Sequence, residues 1–168
     1  MPDLSYISKT MMYFYIAKNQ IVDCGSLCQN KFSQLKLFSV GSNNITYMDI
    51  GKKLPLWPIV TNIMINNNQL TSLPDLGQSS KGGNTNQIWL TAHDNPYHCN
   101  QAMAWLAQSW VDLHDNKVVF GRVMVWTSVL DEMRCQTPDL MEGFPIWQLG
   151  KTVWALFYQT RSRLKPKF

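Results

Sequence analysis

Residues 34–50, with the sequence QLKLFSVGSNNITYMDI, show the clearest strand pattern in the chain. Within 34–40, Leu35 and Leu37 alternate with Lys36 and Phe38, which indicates a strand whose successive side chains point to opposite faces. The next four residues, GSNN, have the composition of a turn, and 45–50 alternates again. Two alternating segments joined by a short turn rich in Gly and Asn predict a β-hairpin, and hence an antiparallel pairing.

Strand patterns recur outside this segment, at 11–17, 59–65, 87–92, 117–129 and 152–160. Segment 117–129 carries apolar residues on both faces, which is typical of a central strand covered on both sides. Segment 152–160 also fits a short C-terminal helix. Asn, Ser and Thr are frequent whereas glutamate occurs only twice, so composition favours strands and turns over helices. We detect no internal repeat.

One segment has a strong helix signal. Asn95 suits an N-cap, and Pro96 suits the first helical position. Apolar side chains then recur at helical spacing, at Met103, Leu106, Ala107, Trp110 and Leu113. The predicted fold class is therefore α+β. We expect a single domain over 1–160, with a mainly antiparallel sheet of about five to seven strands and one principal helix at about 96–114 packed on it. A basic C-terminal tail follows at 161–168.

Composition bounds the function classes. The chain has 168 residues, of which 45% are hydrophobic, 12% aromatic and 15% charged, against about 25% charged in an average domain. So many rings with so few charges indicate a folded chain that presents aromatic surface to a partner. The apolar run 11–17 is shorter than the ~20 residues of a membrane span, and Met1-Pro2-Asp3 lacks the basic start of a signal peptide. These features predict reduced cysteines and a cytoplasmic protein, or one in a particle assembled there.

The densest group of reactive side chains lies at 93–99, HDNPYHC. Cys24 or Cys99 is the candidate nucleophile, with His93 or His98 as its base. His93, His98 and Cys99, with Cys24 or Cys28 closing the tetrahedron, are the candidate zinc ligands. A structural zinc site has two close ligand pairs, whereas His98 and Cys99 are adjacent, which restricts both from reaching one ion. The sequence therefore predicts no metal, cofactor or catalytic centre, and a small Cys/His or zinc-dependent enzyme is the second alternative.

The last eight residues hold the excess positive charge, at Arg161, Arg163, Lys165 and Lys167. Removing these four from the 15 basic residues leaves 11, which equals the 11 acidic residues, so the body of the chain is neutral. Four cations neutralise about four phosphates, which gives weak and salt-sensitive binding. Nucleic-acid contact through this tail is the first alternative.

The leading hypothesis is a non-enzymatic subunit of a larger assembly that acts through protein–protein contacts. Phage particles and mobile-element machinery are the kinds of assembly that we consider. The rings assigned to partner binding are Trp147, Trp154 and Tyr158, which are interleaved with basic residues near the C-terminus.

Overall fold

The computed structural model describes residues 6–25, 30–50, 54–73 and 86–99 and, in shorter pieces, 103, 110–112, 117–120, 123–126, 132–137, 142–143 and 145–146. These residues form short strands joined by long connections. The strands are β1 (Tyr13–Tyr15), β2 (Leu37–Ser39), β3 (Asn62–Met64), β4 (Ile88–Thr91), β5 (Tyr97–His98), β6 (Trp110–Asp112), β7 (Lys117–Phe120), β8 (Val123–Trp126) and β9 (Cys135–Thr137). A 3₁₀ helix spans Leu54–Leu56.

The main sheet has the strand order β1-β2-β3-β4-β8-β7-β6. Its first five strands are parallel to one another, and the hairpin of β7 and β8, extended by β6, is antiparallel. β5 and β9 form a separate parallel pair. Because β1 to β4 are parallel neighbours in chain order, each connection carries the chain back to the end of the sheet at which the strands begin. The fold is therefore a solenoid in which one turn stacks on the next.

Each turn contributes the same apolar positions to the core. The central strand residues Phe14, Phe38, Ile63 and Leu90 are in register and buried. The side chains two residues later point to the same face, at Ile16, Val40, Ile65 and Ala92. Aromatic rings continue the stack, with centroids 5.5 Å apart between Phe14 and Phe38 and 4.7 Å apart between Phe38 and Trp57. Since no single turn can bury its own apolar face, the stacking of turns creates the core.

A tight backbone turn follows each of the first four strands. It begins with a residue in the left-handed region, at Lys18, Ser42, Asn67 and Asp94, with φ between 51° and 59°. The next residue is always asparagine, at 19, 43, 68 and 95. The intervals are therefore 24, 25 and 27 residues (19 to 43, 43 to 68, 68 to 95). The chain contains an internal repeat, contrary to the sequence-based expectation.

The predicted hairpin of 34–50 is wrong. Strand β2 pairs in parallel with β1 and β3, and 45–50 contains no strand. Asn43, expected in a hairpin turn, instead bonds the backbone of the preceding turn, at Ile16 and Ile21. The predicted mainly antiparallel sheet is wrong for the same reason: short strands alternate in the same way whether their neighbours run parallel or antiparallel.

The predicted principal helix at 96–114 is also wrong. Tyr97–His98 is strand β5 and Trp110–Asp112 is strand β6, and the described residues of 96–114 contain no α-helix. Asn95 does not cap a helix, because its side chain bonds backbone groups of its own turn and of the turn before it. The predicted single strand over 117–129 is a hairpin of two strands, β7 and β8. The described ranges include no helix that is long and apolar enough to cross a membrane.

Candidate binding surface

Asparagine side chains link each turn of the solenoid to the one before it. The Nδ2 of Asn43 donates to the carbonyl of Val40 in its own turn, at 2.9 Å, and to that of Ile16 in the preceding turn, at 3.1 Å. Its Oδ1 accepts the backbone N–H of Ile21, also in the preceding turn, at 3.1 Å. A buried amide therefore satisfies backbone groups of two turns at once, which fixes their spacing.

The same pattern repeats twice. Asn68 donates to Ile65 and Val40 and accepts from Ile45. Asn95 donates to Ala92 and Ile65 and accepts from Leu70. We call Asn19, Asn43, Asn68 and Asn95 the asparagine ladder. The three later members are buried, and Asn19 is exposed.

The sheet face opposite the core carries eight side chains from β1 to β4, in two registered rows. We call this surface the open face; its first row is Tyr13, Leu37, Asn62 and Trp89, and its second row is Tyr15, Ser39, Met64 and Thr91. Tyr13 and Tyr15 are each 65% exposed and Ser39 is buried, whereas the other five are partly exposed. Since the ladder holds the turns in register, the two rows form a continuous surface.

None of these eight side chains is charged. They combine rings, aliphatic and thioether groups, hydroxyls and one amide, a mixture typical of the centre of protein interfaces, from which Lys, Glu and Asp are depleted. Charged residues flank the rows: Lys36 directly precedes β2, and Lys18 and Asp94 lie at equivalent positions in the turns after β1 and β4. The open face is thus an uncharged surface of rings, aliphatic groups and small polar side chains.

A polar pocket of about 400 Å³ lies beside Asn68 and Asn95, the last two members of the asparagine ladder. Its walls include Gln69, Asp94, Glu132 and Arg134. Arg134 donates to the Gly143 carbonyl at 2.7 Å, which ties the 132–137 segment to the residues that follow it. The described pocket wall carries two carboxylates, several side-chain amides and one guanidinium, and no Ser, Thr or Cys side chain.

His93 stands beside this pocket. Its Nε2 lies 3.6 Å from Asp94 Oδ2 and 3.8 Å from Glu132 Oε2, and its buried Nδ1 has no hydrogen-bond partner. His98 is exposed and donates its backbone N–H to the Thr71 carbonyl at 2.8 Å. The two histidines proposed from sequence as a catalytic or zinc-binding pair therefore occupy different surroundings.

Cys99 is not a thiol in this structure. It forms a disulfide with Cys135 across a sequence separation of 36 residues, and both residues are buried. Cys24 is also disulfide-bonded. The expectation of reduced cysteines does not hold, and neither Cys99 nor Cys24 offers a thiolate to a substrate or metal. Within the described ranges, no group of three His, Cys, Asp or Glu side chains is arranged to hold a metal ion.

The other predicted site residues lie outside the described residues. These are the three rings Trp147, Trp154 and Tyr158 and the four tail cations Arg161, Arg163, Lys165 and Lys167.

Comparison with known proteins bears on the fold. No protein-family model and no curated protein matches the sequence. Among solved structures, the chain is similar to human 5T4, described as Wnt-activated inhibitory factor 1 and trophoblast glycoprotein, with a TM-score of 0.54 and 16% sequence identity. The match covers 86% of this chain and 47% of that structure, so the chain spans about half the length of its neighbour. At this identity the likeness concerns the fold alone.

That neighbour is a leucine-rich repeat protein, and the repeat found here has the matching pattern. Leucine-rich repeats follow L-x-x-L-x-L-x-x-N-x-L with a period of about 20–29 residues. Val60, Ile63, Ile65, Asn68 and Leu70 stand at these positions in the third turn. Sequence reasoning missed the open face because it tested for strands one at a time. The four asparagines, each followed two residues later by an apolar or aromatic residue, were the signal that could have found it.

Proposed function

We propose that this chain is a non-enzymatic protein-binding module that engages a partner protein through the open face, as a component of a larger assembly. The observation that carries the proposal is an uncharged, aromatic-bearing surface of eight registered side chains on a rigid sheet. Tyr13 and Tyr15, both largely exposed, provide large contact area with few rotatable bonds. Such side chains dominate the binding energy of many interfaces.

The rigidity of this surface supports the same proposal. Binding costs include the ordering of flexible side chains and loops. Strand residues whose turns are joined by hydrogen bonds of the asparagine side chains are ordered before a partner arrives. Beside the pocket of the last turns, Cys99 is not available as a nucleophile, because it forms a disulfide with Cys135.

Site-specific photo-crosslinking tests this proposal. A photoreactive phenylalanine analogue is introduced at Tyr15 and, as a matched control, at Tyr47, which is 67% exposed but lies away from the open face. We expect one discrete crosslinked protein from position 15 that is absent from position 47. Met64→Lys, which places a charge at the centre of the same row, should abolish that crosslink without unfolding the chain. Equal products from both positions, or a crosslink that survives Met64→Lys, would contradict the proposal.

The compartment belongs to the proposal as well. Sequence reasoning predicted a cytoplasmic protein, but the disulfide between Cys99 and Cys135 favours an oxidising compartment, in which such bonds form and persist. We therefore place the module in an oxidising environment. The test is peptide mapping under non-reducing conditions on protein isolated from its natural source with thiols blocked at lysis; alkylated Cys99 and Cys135 would contradict this placement.

Nucleic-acid contact through Arg161, Arg163, Lys165 and Lys167 stays a prediction, because these residues lie outside the described ranges. Membership of a phage or mobile-element assembly is likewise a prediction.

A further inference from the structure

The first member of the asparagine ladder is incomplete on one side. The Nδ2 of Asn19 donates to Ile16 and Ala17 in its own turn, each at 3.0 Å. Each later ladder residue makes two further bonds to the turn before it, a donation to a strand-end carbonyl and an acceptance from a backbone N–H. No described residue supplies these two groups to Asn19. The Oδ1 of Asn19 is therefore a free acceptor among the described residues, and its Nδ2 makes no bond to a preceding turn of the kind that Asn43 makes.

The backbone beside Asn19 is open in the same direction. β1 pairs with β2 alone among the described strands. The Met12 carbonyl, just before β1, accepts from Lys36 and Leu37, and the Ile16 N–H, just after β1, donates to Ser39 of β2. Since backbone groups of successive residues in a strand point to opposite edges, those of Tyr13 and Tyr15 point away from β2. An edge strand of this kind is a template for pairing with another strand.

The opposite end of the ladder is closed. The Ala92 carbonyl, which would receive the amide of a following asparagine, is bonded by the hydroxyl of buried Tyr97 at 2.5 Å. A second copy therefore has no ladder end that matches Asn19 in a head-to-tail stack. Two copies joined at β1 by a two-fold axis would pair antiparallel, and that arrangement leaves both Asn19 amides unfilled.

We propose that the open ladder end, formed by the β1 edge and Asn19, binds an extended segment of another protein as one more parallel strand followed by a tight turn. The segment must present a carbonyl and a backbone N–H to the Asn19 amide, at the spacing that separates Ile65 from Leu70. In this chain, the Ile65 carbonyl accepts from the Asn95 side chain and the Leu70 N–H donates to it. The site uses the backbone edge of β1, whereas the open face uses the side chains of the same strand, and the inference does not rest on the proposed function.

A synthetic peptide with the sequence of residues 60–70, VTNIMINNNQL, is the probe, because this segment already serves Asn95 in the required way. Added to the intact chain, it should slow the amide hydrogen exchange of Tyr13 and Tyr15 and shift the side-chain amide resonance of Asn19. The amide of Asn44, an exposed asparagine outside the ladder, should not shift. A matched peptide with proline in place of the final leucine lacks the N–H for Asn19, which removes one of the two hydrogen bonds, and it should bind about threefold more weakly.

Two variants of the chain complete the test. Asn19→Ala should weaken peptide binding about tenfold, the equivalent of two lost hydrogen bonds, and Asn44→Ala should leave it unchanged. Both positions are exposed, so both variants should keep the fold. No protection of Tyr13 and Tyr15 at millimolar peptide, or equal binding to Asn19→Ala and the parent chain, would overturn the proposal. Concentration-dependent protection without peptide would also overturn it, because a second copy would then occupy the edge.

Discussion

The Tyr97 hydroxyl donates a 2.5 Å hydrogen bond to the backbone carbonyl of Ala92. In each earlier turn, the equivalent carbonyl, at Ile16, Val40 or Ile65, accepts an amide hydrogen bond from the asparagine one turn later. Tyr97 stands at the apolar position two residues after the last ladder asparagine. The Tyr97 side chain thus fills the core and takes the place of a further ladder asparagine, so the ladder ends at this turn.

Tyr97→Phe should lower the free energy of unfolding by about 1 kcal/mol. The ring keeps its buried packing, and the Ala92 carbonyl keeps its bond from Asn95, so only the terminating hydrogen bond is lost. Urea denaturation of the variant beside Tyr47→Phe checks this, since the exposed Tyr47 should show no change. A Tyr97→Phe variant as stable as the parent chain would show that the hydroxyl does not stabilise the ladder end.

The same hydroxyl should make stability depend on alkaline pH. Burial raises the pKa of Tyr97 far above its usual value, so the folded chain retains this proton while the unfolded chain loses it above about pH 10. Its contribution is therefore complete below pH 10 and falls by about 1.4 kcal/mol per pH unit above it. The difference in stability between the parent chain and Tyr97→Phe, measured from pH 8 to about pH 11, should shrink and then change sign. A constant difference would contradict this assignment.

Removing a buried rung should cost much more than removing the exposed one. Asn68→Ala leaves the Ile45 N–H without its acceptor and takes a donor from Val40 and Ile65, so we expect a loss of about 2–4 kcal/mol. Asn19→Ala should cost less than about 1 kcal/mol, because its bonds are exposed to water. Equilibrium unfolding of both variants tests the ladder, and equal losses would show that burial does not determine the contribution of a rung.

Sequence reasoning located several strands but not their arrangement. The segments 11–17 and 59–65 do contain β1 and β3, because alternation of apolar residues reports a strand directly. Alternation does not show which strand pairs with which, because the partner of each strand lies a full turn of the solenoid away in the sequence. Asn43 looked like a hairpin turn and Asn95 like a helix cap, since asparagine serves all three roles with the same side-chain amide. Only the common spacing of the four asparagines distinguishes the ladder from separate turns.

The disulfide between Cys99 and Cys135 should stabilise the end of the solenoid. For a separation of 36 residues, restriction of the unfolded chain contributes about 3–4 kcal/mol in the chain-entropy model. The double variant Cys99→Ala and Cys135→Ala should lose about this much in urea denaturation. Peptide mapping of the parent chain supplies the control, because the loss is assigned to the bond only if the two cysteines are found linked. A linked parent chain and an equally stable double variant would contradict the prediction.

Lys18 occupies a backbone conformation that suits glycine better than lysine. Its φ is 59°, its side chain is exposed, and the same left-handed position recurs at Ser42, Asn67 and Asp94. A residue with a Cβ is disfavoured there by about 1–2 kcal/mol, whereas glycine adds about 0.5–1 kcal/mol of entropy to the unfolded chain. Lys18→Gly should therefore raise the free energy of unfolding by about 0.5 kcal/mol. Ala17→Gly, one residue earlier and outside the left-handed region, should lower it by about the same amount. Because the two variants add the same residue to the same turn, opposite signs in thermal unfolding would identify backbone conformation as the cause, and equal signs would refute it.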